Sequence, residues 1–429
     1  MIRFYPPPRK SCSSMFKRVS LLSYSMLLLL FCMIAQTGVA QEEAEINGIP
    51  GYLGMPSLKG NWRPFNNSSP WNTEIPAGVG THTESRAIID DMKGRNYPNG
   101  ITIRFAEDWN PTLHVVNSRA SKYRYKSSTN IYRFTHFNLQ NFWNPDVNGD
   151  DITDETWPFI PGVTYPENMA DGRMIIVDKS ASAKYTAYEV SHGGAYLVGG
   201  YAPCSTFNIW GLGSRGIVRD RPVCTGNLQW PDCDDYWPCA GGHGAGTSLI
   251  AGLIRPNELL NALDAPLAPT DPNYNPDVPS GDGVIHHALK FSYNFNRCGP
   301  PLYPFAYRND GPMPISDTTK PVEGMLFQLV DTNNSIENSI SNPYGKVVVR
   351  TLKKYGMVLV DNGSNDYTMA LYIQNMYTPG GETNKQWWNR KYPGLYDSIT
   401  GIKAENFQVV DTGDIYGARL LMDHSECPP

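Results

Sequence analysis

Short segments in which apolar and polar residues alternate with a period of two most strongly constrain the fold of this chain. Residues 185–192 alternate in this way, and 174–178 form a continuous apolar run. Both patterns, with their β-branched and aromatic residues, indicate β-strands. Further strand candidates are 101–106, 114–117, 132–137, 195–201, 283–294, 325–330, 357–360 and 419–422. The chain is therefore predicted to be mainly β.

Helix signals are sparser. Pro256 suits the first turn of a helix that reaches Leu263, and an amphipathic stretch over 343–355 ends at Gly356, a C-terminal cap. With 39 Gly and 35 Pro, many connections must be turns and ordered loops. The pattern favours a jelly roll or β-sandwich with long ordered loops and two or three short helices.

The N-terminus has the pattern of a secretory leader. A basic pair at 17–18 precedes the apolar run 21–35, and small residues at 38 and 40 mark a cleavage site before Gln41. We predict a signal peptide over 1–40, an extended wrapping segment over 41–100, and a single β-sandwich-like domain over 101–429. The mature protein is expected to be extracellular or periplasmic and to have no membrane partner.

Cysteine use agrees with export. Six cysteines remain after the leader, and an even count in an oxidising compartment implies disulfides. Among 15 arrangements, the favoured pairs are Cys204–Cys224, Cys233–Cys239 and Cys298–Cys427. A zinc site is disfavoured because there is no Cys-x-x-Cys pair.

Charge and missing motifs exclude several function classes. The net charge is −5 and no Lys/Arg stripe exists, so nucleic acid is an unlikely partner. The sequence lacks a Gly-x-Ser-x-Gly elbow, a Walker A loop, His-Glu-x-x-His and a dinucleotide fingerprint. Carboxylate or His/Tyr/Arg chemistry on a β scaffold remains, and no cofactor is required.

Several phrases resemble those of a group of secreted bacterial proteins. They are SPWNT (69–73), DGRMIIVD (171–178), YEV (188–190), AGLIRPNEL (251–259), HALKF (287–291), LKKYGMVLVDNGS (352–364) and FQVVDTG (407–413). The resemblance covers about 65–413, with gaps. It implies secretion and a shared scaffold, and it implies no particular reaction.

Three carboxylates are catalytic candidates. Glu189 lies mid-strand among aromatics, where burial would raise its pKa and suit a general acid; a solvated outer face is the alternative. Asp178 ends the preceding strand, and Asp361 opens an Asp-Asn-Gly turn. For Asp361 the default interpretation is a turn residue.

Two histidines join them. His243 lies in the Gly-rich stretch 241–246, where a large ligand could approach the backbone. On the predicted strand 283–294, His286 is the better cleft candidate, because His287 shares a face with apolar residues. Substrate-binding candidates are Arg215 and Arg308, which could clamp an anion, together with His192, Tyr188 and Trp210.

The acidic loop 146–155 begins like a calcium loop. Asp146, Asn148, Asp150 and Asp154 offer oxygen ligands at alternating positions, but the pattern then departs from an EF-hand. An irregular structural Ca²⁺ site and a merely solvated loop are the two interpretations.

Three functions remain open, and the sequence favours an enzyme. A glycoside hydrolase acting on an extracellular polysaccharide would pair Glu189 with Asp178 or Asp361. A polysaccharide lyase would use His243, His286, Arg215 and Tyr188 for β-elimination. A non-catalytic polysaccharide-binding, wall or matrix protein would show an aromatic platform without converging acids or bases.

Overall fold

Two mixed β-sheets form the framework in the computed structural model. The structure describes residues 45–55, 62–95, 100–127, 135–137, 142–143, 150, 152–167, 171–180, 185–204, 206–212, 214, 242–271, 274–306, 309–363, 368–377 and 379–413. The predicted leader and the candidate strand 419–422 lie outside these residues.

The first sheet has seven strands, in the spatial order β1-β3-β9-β10-β12-β6-β7. In chain order they are β1 (Tyr52–Gly54), β3 (Thr112–Val116), β6 (Thr135–Phe137), β7 (Phe142–Trp143), β9 (Met174–Asp178), β10 (Thr186–Ser191) and β12 (Thr206–Gly211). The pair β9–β10 is antiparallel, with Glu189 opposite Ile175 and Thr186 opposite Asp178. The pair β3–β9 is parallel.

The second sheet has six strands, in the order β17-β14-β15-β13-β16-β2. They are β2 (Thr102–Phe105), β13 (Leu289–Ser292), β14 (Leu326–Leu329), β15 (Met357–Asp361), β16 (Thr368–Leu371) and β17 (Phe407–Val409). Two small two-stranded sheets pair β4 (Lys122–Tyr123) with β8 (Trp157–Pro158) and β5 (Tyr125–Ser127) with β11 (Ala202–Cys204).

Six α-helices occur in the described residues, more than the two or three expected. They are α1 (Ser85–Gly94), α2 (Pro256–Leu263), α3 (Ser335–Ser339), α4 (Pro343–Lys354), α5 (Asn384–Lys391) and α6 (Leu395–Ser398). The predictions of α2 and α4 are confirmed. Asn342 caps α4 by accepting hydrogen bonds from the N–H groups of Tyr344 and Gly345.

The prediction of a mainly β protein is confirmed, but that of a jelly roll is not. A jelly roll is built from antiparallel strands, whereas β3–β9, β6–β12, β13–β15 and β2–β16 are parallel pairs. Parallel neighbours need long crossovers, and the helices and long loops provide them.

Two strand predictions were wrong in extent. Residues 195–200 form bends and a turn closed by one isolated bridge between Val198 and Tyr201. Gly199 and Gly200 have φ values of +58° and +89°, and a strand starts only at Ala202. In 283–294 only β13 is a strand. Before it, the backbone N–H of Ile285 donates to the Thr351 hydroxyl rather than to a neighbouring strand.

Each sheet separates two apolar layers. The layer between the sheets receives Val177 and Ala187 from the first sheet and Val358 from the second. Helices cover the far side of the second sheet, where Leu289 and Phe291 are buried. Trp71, from the N-terminal segment, inserts into the middle layer and packs edge-on against Phe305 with 5.1 Å between ring centroids. The middle layer holds the polar residues described next.

Candidate functional site

An irregular buried segment, residues 243–254, runs between the two sheets. Its backbone polar groups need partners because they are shielded from water. The N–H of Ala245 donates to the Val360 carbonyl at 2.8 Å, and that of Ile254 to the Tyr372 carbonyl at 3.2 Å. Gly252 has φ +65°, and a Cβ there would lie 2.8 Å from the Trp71 ring. The close packing therefore requires glycine at this position.

Two ionisable side chains bind opposite sides of one peptide bond in this segment. Glu189 Oε1 accepts a hydrogen bond from the N–H of Ile250 at 3.1 Å, and another from the Ser248 hydroxyl. The Lys290 ammonium nitrogen donates to the Leu249 carbonyl of the same peptide unit. Glu189 comes from β10 and Lys290 from β13, so the segment is held from both sheets.

Burial is the largest influence on the pKa of both side chains. It raises the pKa of Glu189 to about 7, although hydrogen bonds from Ser248 and the segment backbone oppose the shift. It lowers the pKa of Lys290 well below its ordinary value, and nearby Arg173 acts in the same direction. Glu189 is therefore poised to exchange a proton near neutral pH.

His243 connects Lys290 to a second group of charges. Its Nε2 lies 2.8 Å from Lys290 Nζ. Its Nδ1 lies 3.3 Å from both Arg173 Nη1 and Asp361 Oδ2. Burial, and then the charge of Lys290, lowers the pKa of His243 well below its usual range. The imidazole is neutral at pH 7, and its tautomer decides whether Nδ1 accepts from the guanidinium or donates to the carboxylate.

Asp361 is the carboxylate on which these groups converge. Its Oδ2 accepts from Arg173 Nη2 at 3.0 Å and from the Tyr372 hydroxyl at 2.9 Å. Burial alone would raise the pKa of Asp361, but Arg173, with help from His243 and Tyr372, holds it well below its usual range. Asp361 is therefore ionised. We call Arg173, Glu189, His243, Lys290, Asp361 and Tyr372 the central cluster.

The central cluster reaches solvent on the side of Arg173. The same Nη2 that binds Asp361 lies 2.8 Å from Asp171 Oδ2. The exposed fraction of the side chain is 31% for Asp171 and 8% for Asp361. Both carboxylate oxygens bind the same Arg173 nitrogen, so the distance between the two oxygens is at most 5.8 Å. His192 is exposed, and its backbone N–H donates to the backbone carbonyl of Asp171 at 2.5 Å.

Three of the five predicted catalytic residues, Glu189, His243 and Asp361, meet in the central cluster. The pairing of Glu189 with Asp178 is wrong. Directly opposite residues share a face, and Glu189 is opposite Ile175 while Asp178 is opposite Thr186, three residues from Glu189. The two carboxylates therefore point to opposite faces of the sheet.

His286 is also separate from the central cluster. It is buried, its Nδ1 lies 3.3 Å from the Tyr355 hydroxyl, and its Nε2 lies 3.1 Å from Asp282. The prediction that His286 shares a site with His243 is therefore wrong. His287, which was expected to share a face with apolar residues, is 1% exposed and lies 2.9 Å from Glu258.

The predicted binding residues have different fates. Tyr188 packs in the apolar layer on the outer face of the first sheet, stacked on Phe207, so it cannot act with Glu189. Trp210 is 1% exposed in the layer between the sheets and offers no surface for a sugar ring. His192 is exposed and contacts Asp171 through its backbone. Arg215 and Arg308 lie outside the described residues.

Sequence reasoning missed Asp171, Arg173, Lys290 and Tyr372 as site residues. Three of them stand in phrases that carry the resemblance, DGRMIIVD and HALKF, which offered a signal. Tyr372 had none, because a tyrosine after an apolar strand is usually a core residue.

The described residues include only some of the predicted metal ligands and cysteines. Asp146 and Asn148 lie outside the described residues, and no group of three potential ligands occurs within the described part of the chain. Cys204 is a buried free thiol, which contradicts its predicted bond to Cys224. Cys298 is disulfide-bonded. The pairs Cys298–Cys427 and Cys233–Cys239 stay predictions.

Comparison with known proteins identifies no relative. No family model, no curated protein and no solved structure matches the chain. In the described ranges no helix is long and apolar enough to cross a bilayer. The chemistry of the central cluster therefore carries the functional argument.

Proposed function

We propose that this protein is a secreted glycoside hydrolase that cleaves an extracellular polysaccharide with paired carboxylates. The observation that carries the proposal is that Asp171 and Asp361 both bind one nitrogen of Arg173, so that their carboxylate oxygens are at most 5.8 Å apart. This upper limit includes the separation of about 5–5.5 Å that retaining glycosidases use. Of the two pairs expected from the sequence, Glu189 with Asp178 or with Asp361, the proposal keeps Asp361 and replaces Glu189 with Asp171.

Asp361 is assigned the role of nucleophile. Its Oδ2 is occupied by Arg173, His243 and Tyr372, so Oδ1 is the atom that attacks the anomeric carbon and forms the glycosyl-enzyme. The same three neighbours keep Asp361 ionised, as a nucleophile requires. Release of the sugar regenerates the carboxylate.

Asp171 is assigned the role of general acid and then general base. It protonates the leaving glycosidic oxygen, and its carboxylate then takes a proton from the water that hydrolyses the glycosyl-enzyme. In the free protein Asp171 is paired with Arg173. A bound sugar has to displace this ion pair before Asp171 can donate a proton to the leaving oxygen.

Glu189 has a supporting role in this proposal. It is 0% exposed and anchors the peptide bond between Leu249 and Ile250. Its pKa of about 7 suits an acid, but no substrate oxygen could reach it without movement of the buried segment. Glu189 and Lys290 position His243 and hence Asp361.

Export is supported by the predicted leader and by the disulfide at Cys298, since disulfides persist in oxidising compartments. The jelly-roll description is not needed for the proposal. A two-sheet scaffold with the site at the ends of β9 and β15 is sufficient.

A polysaccharide lyase is the second candidate, because Arg173, His243 and Tyr372 are in mutual contact. Two features weigh against it. Arg173 is already neutralised by Asp171 and Asp361. Burial, and then Asp361, raises the pKa of Tyr372 well above its ordinary value, which makes its phenolate a costly base.

The proposal is tested by incubating the mature protein with neutral and uronate polysaccharides while following reducing ends and the ultraviolet absorbance of unsaturated uronates. Reducing ends without absorbance support hydrolysis, and both signals together support the lyase. Asp361→Asn and Asp171→Asn should each lower turnover at least about 100-fold. Asp178→Asn is the matched control on the opposite face of the sheet and should retain activity. Silence across the panel would favour the polysaccharide-binding, wall or matrix protein.

A further inference from the structure

A tryptophan with an unusual backbone conformation lies beside the central cluster. Trp109 has φ +60°, in the left-handed region that bulky residues rarely occupy. Such a conformation costs on the order of 1–3 kcal/mol and persists only where the surroundings enforce it. A strained backbone of this kind often marks a functional position.

The loop is fixed on both sides. The Asn110 amide donates to the Ala106 carbonyl at 2.7 Å, and its oxygen accepts from the N–H of Ile373 at 2.9 Å. The carbonyl of Trp109 accepts from Arg173 Nη1 at 3.4 Å. The strained residue is therefore connected directly to the guanidinium that holds Asp171 and Asp361.

Trp109 and Tyr372 also both contribute to the wall of a small cavity. The cavity has a volume of about 30 Å³, and Gly363 and Ser292 contribute to its wall. This space suits about one water molecule and is far too small for a sugar ring. Trp109 is only partly buried, with part of its side chain against the layer between the sheets. A ring would therefore contact the indole from outside the cavity.

We propose that Trp109 is an aromatic platform that binds a sugar ring of a neutral polysaccharide next to Asp171 and Asp361. The inference rests on the proposed hydrolase function and names its substrate class. A Trp ring combines a large apolar face with low conformational freedom, and ligand sites use such aromatic walls with a few polar groups. Here the polar groups are those bound to Arg173.

The charges around the platform favour a neutral chain over a uronate. The cavity wall contains Arg104, Glu107 and Asp108, two carboxylates against one guanidinium. Glu107 is paired with Lys385 at 2.6 Å, and Asp171 adds a further carboxylate beside Arg173. These residues provide no surplus of positive charge to attract a uronate.

The experiment measures binding separately from turnover. Intrinsic fluorescence of the mature chain is titrated with neutral oligosaccharides and with oligouronates, and reducing ends are measured in parallel. Trp109→Gly is the informative variant, because glycine adopts the positive φ without strain, and this relief offsets part of the packing that is lost with the indole. It should weaken neutral-oligosaccharide binding about 10-fold, with Trp109→Phe intermediate. Trp387→Phe, on α5, is the control and should bind normally.

Three results would overturn the inference: unchanged neutral-oligosaccharide affinity in Trp109→Gly, tighter binding of uronates than of neutral chains, or no binding by the wild type. The two proposals fail in distinguishable ways. Binding that depends on Trp109 without any release of reducing ends overturns the hydrolase and keeps the platform. Hydrolysis with unchanged KM in Trp109→Gly overturns the platform and keeps the hydrolase.

Discussion

Glu189 and Lys290 bind the two polar atoms of a single peptide bond, the N–H of Ile250 and the carbonyl of Leu249. In a trans peptide these atoms point in opposite directions, so the two side chains lie on opposite sides of the segment. This arrangement explains why an acid and a base buried in the same layer form no direct ion pair. Each side chain instead forms a hydrogen bond with the backbone of a segment that belongs to neither sheet.

Lys290→Met should destabilise the fold more than Glu189→Gln. Methionine leaves the Leu249 carbonyl without its donor, at a cost of about 1–3 kcal/mol. Glutamine keeps an acceptor for the Ile250 N–H and should cost less than about 1 kcal/mol near neutral pH. Urea unfolding measures both free energies of unfolding. Lys391→Met, an exposed change on α5, should lie within about 0.5 kcal/mol of the wild type, and an equally small effect of Lys290→Met would contradict the assignment.

Glu189 should make the stability of the protein depend on pH. Its folded pKa is about 7, above the ordinary value of 4.5. Between these values the folded state holds a proton that the unfolded state has lost, so stability decreases as the pH rises through this window. The decrease is on the order of 3 kcal/mol. Glu189→Gln cannot titrate, and its free energy of unfolding should change less between pH 5 and 8 than that of the wild type. Parallel curves would show that Glu189 does not carry the effect.

Arg173 should set the acid limb of the activity profile. It holds the pKa of Asp361 well below its usual range, so the ionised carboxylate is lost only as the pH falls through that low value. Arg173→Gln removes the positive charge, and the pKa of Asp361 should rise. The acid limb of kcat/KM should then move toward neutral pH, with Arg173→Lys shifted less because it keeps the charge. An unmoved acid limb in both variants would exclude Asp361 as the titrating group.

Cys204 should react with thiol reagents only after unfolding. It is fully buried, and burial raises the pKa of its thiol, so both access and thiolate are suppressed. Alkylation without reductant, followed by peptide mass spectrometry, should label Cys204 in denaturant and leave it unlabelled in the native protein. Labelling that requires prior reduction would instead show that Cys204 is disulfide-bonded.

Local signals predicted the elements well, while the site depended on register. Proline and glycine punctuation located α2 and α4, and the apolar run located β9, because these features are encoded within a few neighbouring residues. Alternation in 185–192 placed Glu189 and Tyr188 on different faces, as observed. It could not say which residue of β9 lies opposite Glu189, and that register excludes Asp178.

The remaining members of the central cluster could not be predicted from the sequence, for a different reason. A lysine in a strand usually lies on the surface, and a tyrosine after an apolar strand usually lies in the core. Only the packing of distant segments makes Lys290 and Tyr372 neighbours of His243. Arg173 meets Asp361 across 188 positions of sequence. Contacts of this kind arise from topology and leave no local pattern.

The peptide bond between Leu249 and Ile250 also has a consequence for how the chain can mature. Lys290, which binds the carbonyl of this peptide bond, is synthesised about a hundred residues after Glu189. Strand β15, which carries Asp361, is synthesised later still. An emerging chain that closed the first sheet early would bury a carboxylate before its peptide partner and the second sheet existed. Contacts of such long sequence separation form slowly. The order of assembly therefore favours a chain whose first sheet closes only after its second sheet has been made.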